Sequence, residues 1–313
     1  MNAQVIKCLS SECLVEQNGK EFSVSLRGKL KKEPQSVLVG DYVMLGENNS
    51  IIESVLPRKN RLIRPFVVNV DQIVVVASEE PKSDLFVIDQ IIIGAAEQNL
   101  PVLLVVNKMD ISSKEFASSI SSDYSKVVSK IVEVSAKTGE NINELKKLLK
   151  GKLSVLVGES GVGKSSLINA IFCSEKQEIG NLSQKISRGK NTTRSNQIFA
   201  CEDGIKIIDS PGFSSLSLGV IDPQELARKF IDFNPYTKQC AYTSCNHISS
   251  DGCAVKKAVQ CGKISKNRYD RYCKLYQKYS DEWQNRYKRK KEKNNENFTI
   301  NNSRRLQKRT KAK

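Results

Sequence analysis

From Val67 onward the hydrophobic positions come in short unbroken runs, near Gln72–Ala77, Val102–Val106, Ile131–Val134, Leu153–Val157 and Ile205–Ile208. Helical segments such as Leu85–Gln98 lie between them. Apolar strands alternating with helices predict a mainly parallel sheet with helices on both faces. Residues 1–65 follow another rhythm. Five short β segments, Gln4–Leu9, Cys13–Gln17, Lys20–Leu26, Asp41–Leu45 and Ser50–Val55, are separated by turn signals such as Asn18 followed by Gly19. They predict a small antiparallel β-barrel of the OB-fold kind, used for oligonucleotides or as a protein docking module. Arg27, Lys29, Lys31 and Lys32 precede the fourth segment, and Arg58, Lys59, Arg61 and Arg64 form a basic linker after the fifth. Further on, Tyr269, Tyr272, Tyr276, Tyr279 and Trp283 recur every three or four residues, the mark of rings packed along one helix face.

The run Leu153–Val157 leads into Gly158, Glu159, Ser160, Gly161, Val162, Gly163, Lys164 and Ser165, which fits G-x-x-x-x-G-K-S throughout, and then into the helical stretch Ser166–Phe172. Strand, glycine turn and helix together form a phosphate-binding loop: its N–H groups curl around phosphate oxygens, and the helix N-terminus adds positive charge. Lys164 is expected to reach the β- and γ-phosphates as the catalytic cation, and Ser165 to hold Mg²⁺.

Asn107, Lys108, Met109 and Asp110 close the strand Val102–Val106. The Asp110 carboxylate can accept from guanine N1–H and its exocyclic amine, donors that adenine lacks, so this loop favours GTP over ATP. Ser135, Ala136 and Lys137 end another strand; a backbone N–H there can meet guanine O6 while Lys137 lies beside the base. Beyond the phosphate loop come residues 188–194, with Thr192 and Thr193, and then Asp209, Ser210, Pro211 and Gly212. Either threonine can serve as the Mg²⁺ ligand; Thr193, directly before Arg194, is the favoured one and the expected catalytic residue, with Thr192 the alternative. Asp209 would hold Mg²⁺ through water, and the Gly212 N–H would contact the γ-phosphate, so that these become two switch loops. Where many GTPases place a water-orienting glutamine, this chain has Phe213, which predicts slow turnover until a partner completes the site.

Cys240, Cys245, His247 and Cys253 offer three thiolates and an imidazole, a donor set for one structural Zn²⁺. His247 is the only histidine in the chain and falls inside its only dense cysteine cluster. Cys261 competes for the fourth position, and the remaining cysteines, Cys8 and Cys13 among them, read as reduced thiols.

Guanine-reading motif before phosphate loop is the reverse of the usual GTPase order. The sequence N-K-x-D, S-A-K, G-x-x-x-x-G-K-S, T-T, D-x-P-G and a Cys/His cluster resembles the RsgA (YjeQ) family of circularly permuted, small-ribosomal-subunit-dependent GTPases, over the chain up to about residue 280. The resemblance implies an OB-fold at 1–65 that meets the ribosome or RNA, a permuted α/β GTPase domain at 66–220, a small α-helical zinc domain at 221–285, and action late in small-subunit assembly. The family often has histidine before T-T; this chain has Asn191, which leaves a histidine-based hydrolysis without its residue.

The 313 residues are 39% hydrophobic and carry a formal net charge of +16. No signal peptide or run of membrane-spanning length is evident, and nine cysteines fit a reducing setting, so a cytoplasmic monomer without membrane contact is expected. From Arg286 onward twelve basic residues face only Glu292 and Glu296 as acids, a tail expected to be disordered when free and suited to RNA phosphates. Since the second switch runs directly into 222–233, its movement could shift the zinc domain. The expected reaction is hydrolysis of GTP to GDP and phosphate, stimulated by the small subunit and its rRNA; a GTP-binding RNA scaffold with negligible turnover is the alternative.

Overall fold

The computed structural model describes residues 2–9, 12–28, 30, 36–46, 48–63, 65–172, 196–201, 203–209 and 222–286. Thr192, Thr193, Asn191, Gly212, Phe213 and the tail beyond residue 286 lie outside the described residues, as do Lys29, Lys31, Lys32 and Arg64. The chain divides into two compact units at residue 218.

In the first unit, β1 (Asn2–Cys8), β2 (Glu12–Gln17), β3 (Lys20–Leu26), β4 (Tyr42–Leu45) and β5 (Ile51–Val55) pair in the order β1-β2-β3-β5-β4, and β4 returns to β1 to close a barrel. The barrel is not wholly antiparallel as the sequence suggested: β3 and β5 run parallel. A ring with an odd number of strands cannot alternate direction all the way round, so one neighbouring pair must agree. Asn18 (φ 52°) and Gly19 (φ 77°) make the β2–β3 turn, the left-handed pair that a tight hairpin requires. Val5, Val15, Val24, Val43 and Ile52 fill the interior. Cys8 and Cys13 correct a further expectation. They face each other across β1 and β2 with Cα atoms 4.2 Å apart and are joined as a disulfide, not held as free thiols.

After the barrel, β6 (Arg61–Leu62) and β7 (Val67–Val68) form a short ribbon. The main sheet follows. β8 (Gln72–Ala77), β9 (Val102–Val106), β10 (Lys130–Glu133), β11 (Leu153–Val157), β12 (Gln197–Ala200) and β13 (Lys206–Asp209) stand in the order β10-β9-β8-β11-β13-β12, all parallel except β12. Alternate residues of each strand point to opposite faces. Ile73, Val75 and Ala77 pack with Ile88, Ile91 and Ile92 of α1 (Leu85–Glu97) and Phe116 and Ile120 of α2 (Lys114–Tyr124). Val74 and Val76 pack with Leu145 and Leu149 of α3 (Ile142–Leu149) and Leu167 and Ile168 of α4 (Lys164–Phe172). Burial on both faces explains the unbroken apolar runs. Because β8 to β11 and β13 run parallel, their C-terminal ends share one edge, where ligands of such sheets bind.

Barrel and sheet are continuous. Lys7 of β1 pairs with Gln197 of β12, and the Lys206 ammonium of β13 donates to Gln4 Oε1 at 2.7 Å and Glu16 Oε2 at 3.1 Å. The Gly19 N–H, assisted by Lys206, holds the Glu16 carboxyl below its ordinary range. Two cations of the basic linker are already spent. Arg58 forms a two-pronged pair with fully buried Asp41, both bonds 2.7 Å, and Lys59 meets Asp71.

The second unit contains α5 (Pro223–Lys229), α6 (Asn234–Thr237), α7 (Ala254–Gln260) and α8 (266–286). Tyr272 is fully buried, its ring 5.0 Å from Phe230 and 4.8 Å from Phe233. Tyr279 is buried too, as its spacing implied, whereas Trp283 at the end of the row is exposed. Among the described residues no helix is long and apolar enough to cross a membrane.

Asp41 accepts from Arg58 and from the Leu38 N–H at 2.7 Å. Truncation would leave a largely buried guanidinium without its counter-charge. The Asp41→Ala protein is therefore expected to lose about 3 kcal/mol in urea denaturation; a loss under about 1 kcal/mol would show that this pair does not brace the barrel.

Candidate nucleotide site and metal centre

The phosphate-loop pattern folds as a turn that only glycine permits at two points. At Gly158 (φ 152°) a Cβ would stand 2.4 Å from the Val76 carbonyl oxygen, and at Gly163 (φ 94°) it would stand 2.3 Å from Asn107 Nδ2. The loop thus lies directly against β8 and against the loop after β9. α4 starts at Lys164, so its free amides open toward the glycine turn. Lys164 Nζ curls over the loop, donating to the carbonyl oxygens of Gly158 at 2.7 Å and Glu159 at 2.8 Å. Ser160, Ser165 and Ser166 are exposed, and Val162 is buried beneath them.

Asn107 is 1% exposed and joins three segments. Its Nδ2 donates to the Val162 carbonyl at 2.9 Å, its Oδ1 accepts from the Ala136 N–H at 3.1 Å, and its own N–H donates to the Ala77 carbonyl at 2.8 Å. Lys108 sits at φ 67° and donates to the Glu80 carbonyl at 2.7 Å. Asp110 accepts from the Ser135 hydroxyl at 2.7 Å, with Lys137 Nζ 3.7 Å from its other oxygen. The Ser135 bond first, and the Lys137 charge after it, hold the Asp110 carboxyl below its usual value, which favours the ionised acceptor form. Lys137 keeps its side chain 81% exposed.

The structure thus brings Asn107, Lys108, Asp110, Ser135, Ala136 and Lys137 into one cluster, linked through Asn107 to the loop Gly158–Ser166. Asp209 ends β13, one residue beyond the Val155–Ile208 pairing with β11, which puts its backbone on the same edge. Thr193 and Gly212 lie outside the described residues. One end of this edge offers amides and an ammonium to a polyphosphate. The other offers a fixed carboxylate to a base. Sequence reasoning missed Glu79, Glu80 and Ser113, which brace the cluster. The only available signal was Ser113 as a helix cap before α2.

In the second unit the ligand atoms of Cys240, Cys245, His247 and Cys253 all lie within 4.8 Å of one another. His247 Nδ1 is 3.6 Å from Cys240 Sγ and 3.5 Å from Cys253 Sγ, matching the N···S separation of about 3.6 Å at a tetrahedral zinc with Zn–N and Zn–S bonds of about 2.1 and 2.3 Å. Burial lowers the His247 pKa, favouring the neutral imidazole that binds metal, and pushes the Cys253 thiol up to about 11, so a thiolate there calls for a nearby cation. The donor set fits zinc. Its knuckle is held from behind: Tyr269 donates to the His247 carbonyl at 2.8 Å and Tyr272 to the Asn246 carbonyl at 2.7 Å. Cys261, the rival fourth ligand, is exposed at the end of α7, outside the cluster.

Comparison with known proteins agrees with this geometry. A model of the RsgA GTPase family matches residues 55–219. The small ribosomal subunit biogenesis GTPase RsgA of Thermotoga neapolitana is 42% identical over 268 residues, 83% of this chain and 90% of that protein. The crystal structure of YjeQ from Thermotoga maritima superposes with a TM-score of 0.76 at 35% identity, covering 89% of this chain and 98% of that one. YloQ, a circularly permuted GTPase, gives a TM-score of 0.71 at 27% identity, covering 90% and 95%.

Metal analysis of the purified chain is expected to find one zinc per molecule, and Cys240→Ser to lose it together with protease resistance of the second unit. Full retention of zinc by that variant would contradict the assigned ligand set.

Proposed function

The chain belongs to the RsgA GTPase family, and from that premise we propose that its GTP hydrolysis serves late maturation of the small ribosomal subunit, with that subunit and its rRNA as partner and stimulator. The matching relatives are named for small-subunit biogenesis. What supports a nucleotide site built from rotated motifs is one observation, the Asn107 amide bonded to the phosphate loop on one side and to Ala136 on the other.

On this reading Asp110 and Ala136 select guanine, with Lys108 and Lys137 flanking the base. The amides of Gly158, Glu159, Ser160, Gly161, Val162 and Gly163 cradle the phosphates, Ser166 lying at the start of the helix behind them. Lys164 leaves its carbonyl partners to neutralise charge developing between the β- and γ-phosphates. Ser165 and Thr193, with Asp209 behind them, would hold a Mg²⁺ ion, which when bound would supply positive charge to the phosphates. Gly212 offers its N–H to the γ-phosphate. Cys240, Cys245, His247 and Cys253 hold a structural Zn²⁺. The domains run 1–65, 66–220 and 221–285, followed by a basic tail, and the protein works as a monomer in the cytoplasm, where ribosomal subunits mature.

Phe213 occupies the position where a glutamine would orient water, and an apolar ring cannot do so. Hydrolysis by the isolated chain is therefore slow, and the subunit supplies or orders the missing contact. Purified small subunits should raise GTP turnover on the order of a hundredfold, with large subunits inactive and the effect fading as salt rises. An unchanged rate with small subunits would refute stimulation and leave a GTP-binding RNA scaffold.

A further inference from the structure

We propose that the loop of residues 78–84, between β8 and α1, is a positioning element for the guanine nucleotide, fixing the phosphate loop relative to the base-reading loop through the carboxylates of Glu159 and Glu79. The inference rests on the nucleotide site proposed above and adds residues 78–84, which no nucleotide motif contains, and a role for the Glu159 side chain.

β8 lies between β11, which carries the phosphate loop, and β9, which carries the base-reading loop. The two loops therefore leave the sheet two strand spacings apart, about 10 Å. The loop after β8 emerges into that gap, and it is internally closed. Ser78 N–H donates to Ser83 Oγ at 3.0 Å, Ser83 N–H returns to the Ser78 carbonyl at 3.0 Å, and Ser78 Oγ donates to the Pro81 carbonyl at 2.9 Å. Ser78 and Ser83 are both buried.

This closed loop reaches both neighbours. Toward the phosphate loop, the Asp84 N–H donates to Glu159 Oε2 at 2.6 Å, and the Pro81 ring covers Gly161 so closely that a Cβ there would lie 3.1 Å from Pro81 Cγ. Toward the base-reading loop, the Glu80 carbonyl holds Lys108 Nζ, and the Glu79 carboxylate accepts from both the N–H and the hydroxyl of Ser113. Ser113 is the cap of α2 and stands three residues after Asp110. Ser112, between them, bonds back to the Lys108 carbonyl through its N–H at 3.1 Å and its hydroxyl at 3.0 Å, so the stretch 108–113 is tied as one piece.

A nucleotide held at its phosphates by one loop and at its base by the other gains affinity when their separation is preset, because less ordering remains for the ligand to impose. The two carboxylates act at opposite ends. Glu159 sets the phosphate loop, so its loss weakens every nucleotide alike. Glu79 sets Asp110, so its loss falls hardest on the contact to the exocyclic amine of guanine.

The test compares magnesium-supported binding of GDP and of IDP, which lacks that amine, to the full-length protein and its variants. Glu159→Ala should weaken both ligands about tenfold, the worth of one hydrogen bond to a charged group. Glu159→Gln, which keeps an acceptor for the Asp84 N–H, should recover binding to within about twofold of the parent protein. Glu79→Ala should weaken GDP about tenfold and IDP clearly less, narrowing the preference for guanine. Unchanged GDP affinity in both alanine variants overturns the proposal. So does a Glu79→Ala protein that weakens both ligands equally, or a Glu159→Gln protein as weak as Glu159→Ala, since either marks a general folding defect. Failure of the unsubstituted protein to bind GDP would overturn the nucleotide site itself, an outcome visible before any variant is measured.

Discussion

The Asn107 side chain has both ends of its amide committed, one to the phosphate loop and one to the loop after β10, and it is buried where water cannot replace either partner. An amide so placed is costly to leave unsatisfied on either side, so the three segments it touches must be in register for the fold to be stable. Gly163 has no Cβ because Asn107 Nδ2 fills that space. The phosphate loop therefore owes part of its shape to a residue that precedes it by more than fifty positions in the chain.

Rotating the order of the segments leaves this junction intact because a parallel sheet does not record the order in which its strands were supplied. β8 to β11 and β13 present the same edge whichever comes first. What the rotation changes is the connection to the rest of the molecule. The sheet continues through β12 into the barrel, and Lys206, on the strand that ends at Asp209, bonds to barrel residues on β1 and β2. The barrel and the strand that ends at Asp209 thus belong to one continuous sheet. In the second unit the tyrosines of α8 serve the Cys/His cluster as well as the core, since Tyr269 and Tyr272 bond the carbonyls of His247 and of Asn246 before it.

Much of this was legible in the chain because burial on both faces forces strands to be apolar throughout. β8, β9 and β11 coincide with the runs read from the sequence, and the Cys/His cluster was marked by its spacing and by the only histidine. Other features left no such trace. β12 is a short antiparallel strand between β13 and β1 in which only Ile198 is buried, so it produces no run. The parallel β3–β5 pair follows from closure of the ring, not from any residue. The disulfide depends on Cys8 and Cys13 being opposed across a hairpin, a matter of register. Glu79 looks like a surface acid in sequence, the phosphate-loop motif leaves the role of the Glu159 carboxylate unspecified, and Arg58 looked like a free cation until Asp41 proved to be buried beneath it.

Titration calorimetry of the purified chain with GTP and with ATP, both with magnesium, bears most directly on whether the separated motifs converge on one ligand. A single GTP site is expected, with ATP bound at least about a hundredfold more weakly because adenine lacks the N1–H and 2-amine donors that Asp110 accepts from guanine. Equal affinity for the two nucleotides, or no heat with GTP, would contradict the convergence of Asn107, Asp110 and Lys164 on a guanine nucleotide.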